Sequence, residues 1–305
     1  MRTKGTARPP PPVASAQSRF RALDAYRAGR EWSRYEGTAQ RDLFRRLRER
    51  FLDRHAVPTR WVLDLGSGPG RFTARLGTGP EVRRVAADLS REMLAELGER
   101  WPRDRDAPSV PARVRADALE PPFLAAAFDA VAALGNLVGF AEDESERALD
   151  ALTGLVAPGG RLLLEVAPGS GERSRYLHRL PASAVARLFR SAPSLIAGRI
   201  AREGFDREPR RKTTPGRFAR IDVPALRARL GARGFEVLET VAVAPALGAD
   251  PNRLAAVHRD EKSWSNLLAV EEALGRSADR WPDAAAVLVA ATRRGTGGSP
   301  PKSEG

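Results

Sequence analysis

Short apolar runs alternate with helical stretches along the middle of the chain. Candidate strands, marked by dense aliphatic residues, lie at 61–65, 84–88, 114–116, 128–133 and 161–166. Stretches with apolar residues three or four positions apart predict helices at 39–55, 90–100 and 144–156. Because parallel strands need crossover connections, which helices usually supply, this alternation predicts a doubly wound sheet.

The regular pattern fades between about 168 and 216, where arginines accumulate, and then resumes. Helices are predicted near 223–233 and 264–274, and two further strands near 235–243 and 284–291. We therefore expect seven strands in all. The irregular stretch is interpreted as an insertion after the fifth strand.

Composition narrows the class of protein. The chain has 305 residues, no cysteine and only three histidines, which are scattered. Disulfides and thiolate metal sites are thereby excluded, and we expect no metal. No apolar run reaches the roughly 18 residues that a membrane span needs. We therefore expect a soluble, cytoplasmic protein with no membrane partner.

The formal net charge of +13 is unevenly distributed. The first 60 residues carry nine excess positive charges, whereas residues 61–165 are net acidic by five. Nearly all the basic residues are arginines, a bias that GC-rich coding can also produce. RNA therefore stays open as a partner, with the basic flanks in 1–60 and 199–220 as its candidate contacts.

A glycine-rich turn follows the first predicted strand. Gly66, Ser67, Gly68 and Gly70 join that strand to a helical stretch predicted to begin near Phe72. Glycines let the backbone approach a ligand closely, and a helix start offers free N–H groups. A P-loop would need Gly-Lys-Ser/Thr, and the dinucleotide fingerprint would need glycine at position 71, which is arginine here. A tight turn without a ligand is the alternative.

The segment Asp64-Leu-Gly-Ser-Gly-Pro-Gly70 resembles the first motif of class I S-adenosylmethionine (SAM)-dependent methyltransferases. In that family the acidic residue two positions before the first glycine helps to bind the cofactor's amino group, which implies this role for Asp64. The next strand ends at Asp88, where a carboxylate can accept hydrogen bonds from both ribose hydroxyls or cap the following helix. Leu89 and Met93 complete this second family-like segment.

A third matching segment follows the third strand. In similar methyltransferases an aspartate there accepts a hydrogen bond from the adenine amino group and the next residue lies beside the ring, which implies these roles for Asp117 and Ala118. After the fourth strand, Leu134 and Gly135 are expected beside the methionine end of the cofactor. The Asn/Asp-Pro-Pro-Tyr/Phe motif of base-methylating enzymes is absent from that position, because the similar Glu120-Pro-Pro-Phe123 precedes the strand.

The resemblance covers about residues 61–166 and, more weakly, 225–243 and 284–293. It implies an α/β fold with a doubly wound, mostly parallel seven-stranded sheet, helices on both faces and an antiparallel last strand. We predict six parts: a disordered Pro/Arg-rich tail (1–18), an N-terminal helical lid segment (19–60), a SAM-binding Rossmann-like core (61–167), an insertion and candidate substrate cap (168–216), the C-terminal part of the methyltransferase domain (217–294) and a disordered tail (295–305).

No general base can be assigned from the sequence, but two residues are candidates for contact with the substrate. Tyr26, Trp32 and Tyr35 concentrate aromatic side chains just before the 39–55 helix. Such a segment either covers the cofactor as a lid, as in similar small-molecule methyltransferases, or attaches the N-terminal helix to the core. Tyr35 is the first candidate. Asn136 is the second, and it either faces the substrate or forms a turn.

These matches predict an S-adenosyl-L-methionine-dependent methyltransferase that produces S-adenosylhomocysteine (SAH). A small-molecule acceptor is favoured, because a lid-like N-terminus and an insertion would enclose a pocket. RNA or another anionic macromolecule is the first alternative, with Arg210, Arg211 and Lys212 as its candidate contacts. A non-catalytic SAM-binding scaffold is the second, and the three intact aspartates argue against it.

Overall fold

The computed structural model describes residues 28–78, 81–101, 109–140, 144–168, 172–207, 220–247, 250–282, 284 and 286–295. Several predictions concern residues outside these ranges. They are the N-terminal tail, the C-terminal tail after residue 295, Tyr26, and the basic residues Arg210, Arg211 and Lys212.

One large mixed sheet forms the centre of the molecule. The strands of the described residues are β1 (Trp61–Leu65), β2 (Arg83–Asp88), β3 (Ala112–Arg115), β4 (Phe128–Ala133), β5 (Val156–Val166), β6 (Glu172–Ser174), β7 (Phe205–Arg207), β8 (Phe235–Ala242) and β9 (Val287–Arg293). Seven of them follow the order β3-β2-β1-β4-β5-β9-β8, and β6 pairs with β7 in a small antiparallel sheet. Strands β1 to β5 are mutually parallel, and β9 is antiparallel to both its neighbours. The predicted fold class is confirmed.

Helices cover both faces of the large sheet. They are α1 (Ala28–Ser33), α2 (Ala39–His55), α3 (Arg91–Arg100), α4 (Leu137–Phe140), α5 (Ser145–Leu155), α6 (Arg175–Arg179), α7 (Ala182–Leu188), α8 (Pro193–Glu203), α9 (Val223–Ala232), α10 (Pro251–His258) and α11 (Glu261–Gly275). Successive side chains of a strand point to opposite faces. Val62 therefore joins the core that contains α2 and α11, whereas Leu63 joins the core that contains α5 and α9. Within the described residues, none of the helices has the length and apolar character that a membrane crossing requires.

Helix α2 shows how local sequence sets an element. The Thr38 hydroxyl accepts a hydrogen bond from the Arg41 N–H at 3.2 Å and so satisfies one unpaired donor at the helix start. Leu43, Leu47 and Phe51, four residues apart, are 0%, 4% and 0% exposed. The helix begins and ends at the predicted residues, because capping and apolar spacing agree over its whole length.

The helix predicted to begin near Phe72 is wrong. A single 3₁₀ turn, Thr73–Arg75, takes its place. Shortly afterwards Gly77 adopts a φ of +74°, and a β-carbon there would lie 2.8 Å from Val62 Cγ2. The backbone thus turns in against β1 too soon for a helix to form.

Residues 172–207, here called the cap segment, are more regular than the sequence indicates. They contain β6, α6, α7, α8 and β7. Their buried side chains belong to the same core as α2 and α11, and they include Leu177, Val185, Phe189, Ile196 and Ile200. The Arg253 guanidinium from α10 also donates to the carbonyl oxygens of His178 and Leu180, both at 2.6 Å. Short helices with interspersed arginines gave too weak a periodicity for detection. The part boundaries proposed above stay predictions.

Two helical glycines offer a matched test of packing. At Gly275 in α11 a β-carbon would overlap the Ala242 carbonyl oxygen and lie 2.9 Å from Val241 Cγ1, whereas at Gly231 in α9 it would meet nothing within 4 Å. We expect Gly275→Ala to lower the free energy of unfolding by about 1–3 kcal/mol, because overpacking strains the α11–β8 contact. Gly231→Ala should raise it by about 0.4–1 kcal/mol, because alanine restricts the unfolded chain. Urea denaturation measures both, and equal effects would contradict this account of the packing.

Candidate functional site

The predicted site residues lie along one edge of the sheet. Strands β1 to β4 are parallel neighbours, so their carboxyl ends meet there. Strand β1 leads into Gly66, β2 ends at Asp88, and β4 leads towards Gly135. The order of the strands reverses between β1 and β4, and ligands of open α/β sheets bind outside such a switch point.

The Asp88 side chain holds the glycine turn in place. Its Oδ2 accepts a hydrogen bond from the Gly68 N–H at 2.8 Å, and its Oδ1 accepts one from the Ser90 N–H at 2.9 Å. Burial raises the pKa of Asp88, and these backbone hydrogen bonds oppose the rise. An ionised carboxylate has about four acceptor sites. Backbone N–H groups of Gly68, Ser90 and Leu89 interact with this half-buried group, which retains capacity for a further donor.

The glycine turn is packed on one side and open on the other. The N–H groups of Gly66 and Ser67 both donate to the Ala87 carbonyl oxygen, at 2.7 and 3.1 Å. Gly70 has a φ of +79°, and a β-carbon there would lie only 2.5 Å from Leu97 Cγ of α3. At Gly68, in contrast, a β-carbon would meet nothing within 4 Å. The turn therefore presents bare backbone to open space beside Asp88.

Asp64 lies behind this turn. Its Oδ2 accepts a hydrogen bond from the Thr73 hydroxyl at 2.6 Å, and the residue is only 3% exposed. Burial, together with the nearby negative charge of Asp88, raises the pKa of Asp64 to about 7. The sequence did not indicate the partner Thr73. Binding of an amino group by Asp64 stays a prediction.

The residues predicted around the adenosine half occupy the ends of β2 and β3. Asp117 follows β3, is 8% exposed, and accepts a hydrogen bond from the Leu119 N–H at 3.0 Å. Ala118 is half-buried beside it, and Leu89 is half-buried beside Asp88. Met93 is only 5% exposed and lies mainly inside the core. Their cofactor contacts stay predictions.

The chain turns sharply after β4. Gly135 and Asn136 have φ values of +72° and +67°, the left-handed region that a non-glycine residue seldom adopts. The Gly135 N–H donates to Glu165 Oε2 at 3.3 Å, and Asn136 Oδ1 accepts a hydrogen bond from the Ala167 N–H at 2.9 Å. Leu134, just before the turn, is 9% exposed. The Asn136 amide oxygen thus serves the turn, and a contact with substrate stays a prediction.

A buried ion pair at this edge was not predicted from the sequence. Arg48 Nε donates to Glu165 Oε2 at 2.9 Å, and a second guanidinium nitrogen donates to Oε1. Burial raises the pKa of Glu165, but the charge and hydrogen bonds of Arg48, the Gly135 N–H and the charge of Arg34 together outweigh burial, so the pKa is lowered. The available signals were a charge in the apolar strand Leu-Leu-Leu-Glu-Val and an arginine on the apolar face of α2.

The N-terminal segment packs on the residues that follow the glycine turn. The Trp32 ring lies between two guanidinium groups, Arg71 at 4.0 Å and Arg100 at 4.8 Å from the ring centroid. The Tyr35 ring meets Phe72 edge-on at 5.3 Å. Burial is the main cause that raises the pKa of Tyr35, so near neutral pH its hydroxyl is protonated and can donate a hydrogen bond but is a poor general base.

The sequence matches a known family over the region that builds this edge. Residues 62–160 match the model of a family described as a methyltransferase domain. This match covers about a third of the chain, and it identifies these residues as a methyltransferase domain. No match was found among curated proteins.

Solved structures share the fold of this chain at low sequence identity. Magnesium protoporphyrin IX methyltransferase from Synechocystis PCC 6803 with bound SAH is 15% identical, with a TM-score of 0.50 over 92% of this chain and 100% of that chain. A chain of the Haloferax volcanii complex between the Trm112 methyltransferase activator and a methyltransferase is 16% identical, with a TM-score of 0.50 over 90% of this chain and 97% of that chain. At such identities the likeness concerns the fold alone.

A cavity of about 620 Å³ adjoins the N-terminal segment. Its walls include Tyr35, Arg45, Arg71 and His258, with Asp42 at the start of α2. Tyr35 is the only predicted site residue among its described lining residues. The described residues also contain no group of three or more His, Cys, Asp or Glu side chains that could hold a metal ion.

The raised pKa of Asp64 predicts a pH-dependent stability. The carboxyl group has a pKa of about 7 in the folded protein, against an ordinary value of 3.8. Its contribution to stability is therefore fully present below pH 3.8 and is lost as the pH rises through 7. Asparagine cannot ionise. Relative to Asp64→Asn, the wild type should therefore lose about 2 kcal/mol of its free energy of unfolding as the pH rises from about 5.5 to about 8. Urea denaturation of both proteins at the two pH values measures this. Curves that stay parallel would show that Asp64 does not titrate in this range.

Proposed function

We propose that this methyltransferase binds SAM across the carboxyl ends of β1 to β4 and methylates a small-molecule acceptor. The observation that carries the proposal is the placement of Asp88. Its carboxylate is bonded to the start of α3 and to the glycine turn, which has open space at Gly68, and a carboxylate has more acceptor sites than these two bonds fill. Such a carboxylate can accept hydrogen bonds from two vicinal ribose hydroxyls.

The order of the strands supports the fit of SAM. Across the sheet from β3 to β4 lie Asp117, Asp88, the glycine turn and Gly135. The three parts of SAM follow one another in the matching order: adenine, ribose and the methionine half. In this arrangement Asp117 accepts a hydrogen bond from the adenine amino group, Asp88 binds the ribose, and the backbone from Gly66 to Gly68 and at Gly135 adjoins the methionine half.

When bound, SAM supplies a methyl group already activated on a sulfonium sulfur. The acceptor's oxygen, nitrogen or carbon forms the new bond as the carbon–sulfur bond breaks, its proton passes to solvent or a base, and SAH leaves. The protein's contribution is alignment and exclusion of water, and alignment alone can supply up to roughly 7–11 kcal/mol. Tyr35 is a hydrogen-bond donor in this proposal, because its raised pKa makes it a poor base.

Enclosure of the site favours a small acceptor. The N-terminal segment packs on Arg71 and Phe72, directly after the glycine turn. The cap segment is joined to the loop after β8, where the Ser174 N–H donates to the Ala246 carbonyl oxygen at 3.3 Å. In this proposal the two elements enclose the acceptor from the sides of β1 and β8, as a pocket for a small molecule requires.

An RNA acceptor is the second candidate, and the cap segment favours it. Residues 174–202 contain no aspartate or glutamate, and all six of their arginines are exposed: Arg175, Arg179, Arg187, Arg190, Arg199 and Arg202. Such a surface attracts phosphates, and binding would weaken steeply with salt. Arg187→Gln combined with Arg202→Gln should then reduce RNA retention at low salt. Absence of retention by the wild type would exclude this candidate.

Two strand aspartates provide a matched test of cofactor binding. Asp88 and Asp129 each accept two backbone N–H groups, but Asp129 binds those of Arg60 and Trp61 at the opposite edge of the sheet. We expect Asp88→Ala to weaken SAH binding at least about 100-fold, because two charge-assisted hydrogen bonds are lost. Asp129→Ala should leave SAH affinity unchanged although it also loses stability. Calorimetric titration measures the SAH affinity of each variant, and thermal shifts measure its stability. NAD should stabilise neither variant.

The acceptor class is tested with a labelled methyl group. Purified protein and methyl-labelled SAM are added to a fractionated lysate, with Asp88→Ala as the inactive control. Label in the small-molecule fraction supports the proposal, and label in RNA supports the second candidate. SAH binding without transfer to any fraction would instead support a non-catalytic scaffold.

A further inference from the structure

The ion pair between Arg48 and Glu165 connects three elements next to the switch point. Arg48 comes from α2, and Glu165 is the residue before the end of β5. Both side chains are 7% exposed. Glu165 Oε2 accepts two hydrogen bonds, from Arg48 Nε at 2.9 Å and from the Gly135 N–H at 3.3 Å. The pair therefore reaches the turn after β4.

Stability alone does not explain the pair. Removal of two charges from water is costly, and apolar side chains of similar volume often replace a buried ion pair without loss of stability. The Gly135 N–H, by contrast, obtains an acceptor from Glu165, and this bond helps to hold a turn that has left-handed backbone at two successive residues. Asn136 Oδ1 accepts a hydrogen bond from the Ala167 N–H, two residues after Glu165. Two hydrogen bonds with residues 165–167 thus hold the conformation of this turn.

The position of the turn links it to one half of the cofactor. The proposed function places ribose at Asp88 on β2 and adenine at Asp117 after β3. The methionine half then lies on the other side of β1, where β4 leads into the Gly135 turn. Resting on the function proposed above, we infer that Glu165 is a positioning residue. It holds the Gly135 turn against the methionine half of SAM, and Arg48 keeps the Glu165 carboxylate ionised and oriented.

Two neutral double variants separate this role from general stability. Arg48→Met with Glu165→Gln removes both charges and retains an amide oxygen for the Gly135 N–H. Arg48→Met with Glu165→Leu removes the acceptor as well. The ligands are SAH and 5′-deoxy-5′-methylthioadenosine, which shares the adenosine half of SAH and lacks its amino-acid half. Single Glu165 variants are avoided, because they leave a buried unpaired guanidinium.

We expect the glutamine double variant to bind SAH about tenfold more tightly than the leucine double variant, while their affinities for methylthioadenosine agree within about twofold. Equal SAH affinities would overturn the inference, and so would parallel losses for both ligands, which indicate a merely structural role. If the leucine variant does not fold, the glutamine variant alone decides. Its SAH affinity should stay within about threefold of wild type, and a larger loss would overturn the inference.

A remote ion pair supplies the control. Glu239 on β8 bonds Arg54 from the same helix α2 and also Arg276, at 3.3 and 2.8 Å. Glu239→Gln should change the affinity for neither ligand. Failure of the wild type to bind SAH would refute the proposed function itself. Normal SAH binding without the expected difference between the double variants would refute only the role of Glu165.

Discussion

The Asp88 carboxylate accepts hydrogen bonds from two elements that would otherwise be independent. The Gly68 N–H belongs to the turn after β1, and the Ser90 N–H to the start of α3. A glycine-rich turn has many accessible conformations, so some interaction must select one. Here the carboxylate and the two hydrogen bonds to the Ala87 carbonyl oxygen do so together. The geometry of the carboxyl edge of β1 and β2 depends on this selection, because the turn lies between Asp88 and the switch point.

Two other carboxyl groups at this edge differ in charge although both are buried. Asp64 has a neutral hydroxyl as its bonded partner, so burial raises its pKa to about 7. Glu165 is paired with Arg48, and the pKa of Glu165 is lowered. The β4–β5 side therefore carries a permanent ion pair near neutral pH. Behind the glycine turn, in contrast, a partly neutral carboxyl group limits repulsion with Asp88.

Much of the fold could be predicted from the sequence, because strands such as β1 and β4 are short apolar runs that are buried on both faces. Strands β1 and β4 and helix α2 have the predicted bounds. The errors have physical causes. A helix after Phe72 was expected from the motif, but the close approach of Gly77 to Val62 leaves room only for a 3₁₀ turn. The cap segment was missed because its helices are short and rich in arginine.

The sequence by itself determined which residues lie at the carboxyl ends of β1 to β4. The carboxyl ends of parallel strands meet at one edge of a sheet, and this does not depend on how the helices pack. Asp88, Asp117 and Gly135 follow from that rule. Only the tertiary structure decided the partners: Thr73 for Asp64, Arg71 for Trp32, and Arg48 for Glu165, which is 117 residues away in the chain. Periodicity records which face of an element is buried. Which side chain it meets there depends on how helices pack across the sheet, and this is a long-range property.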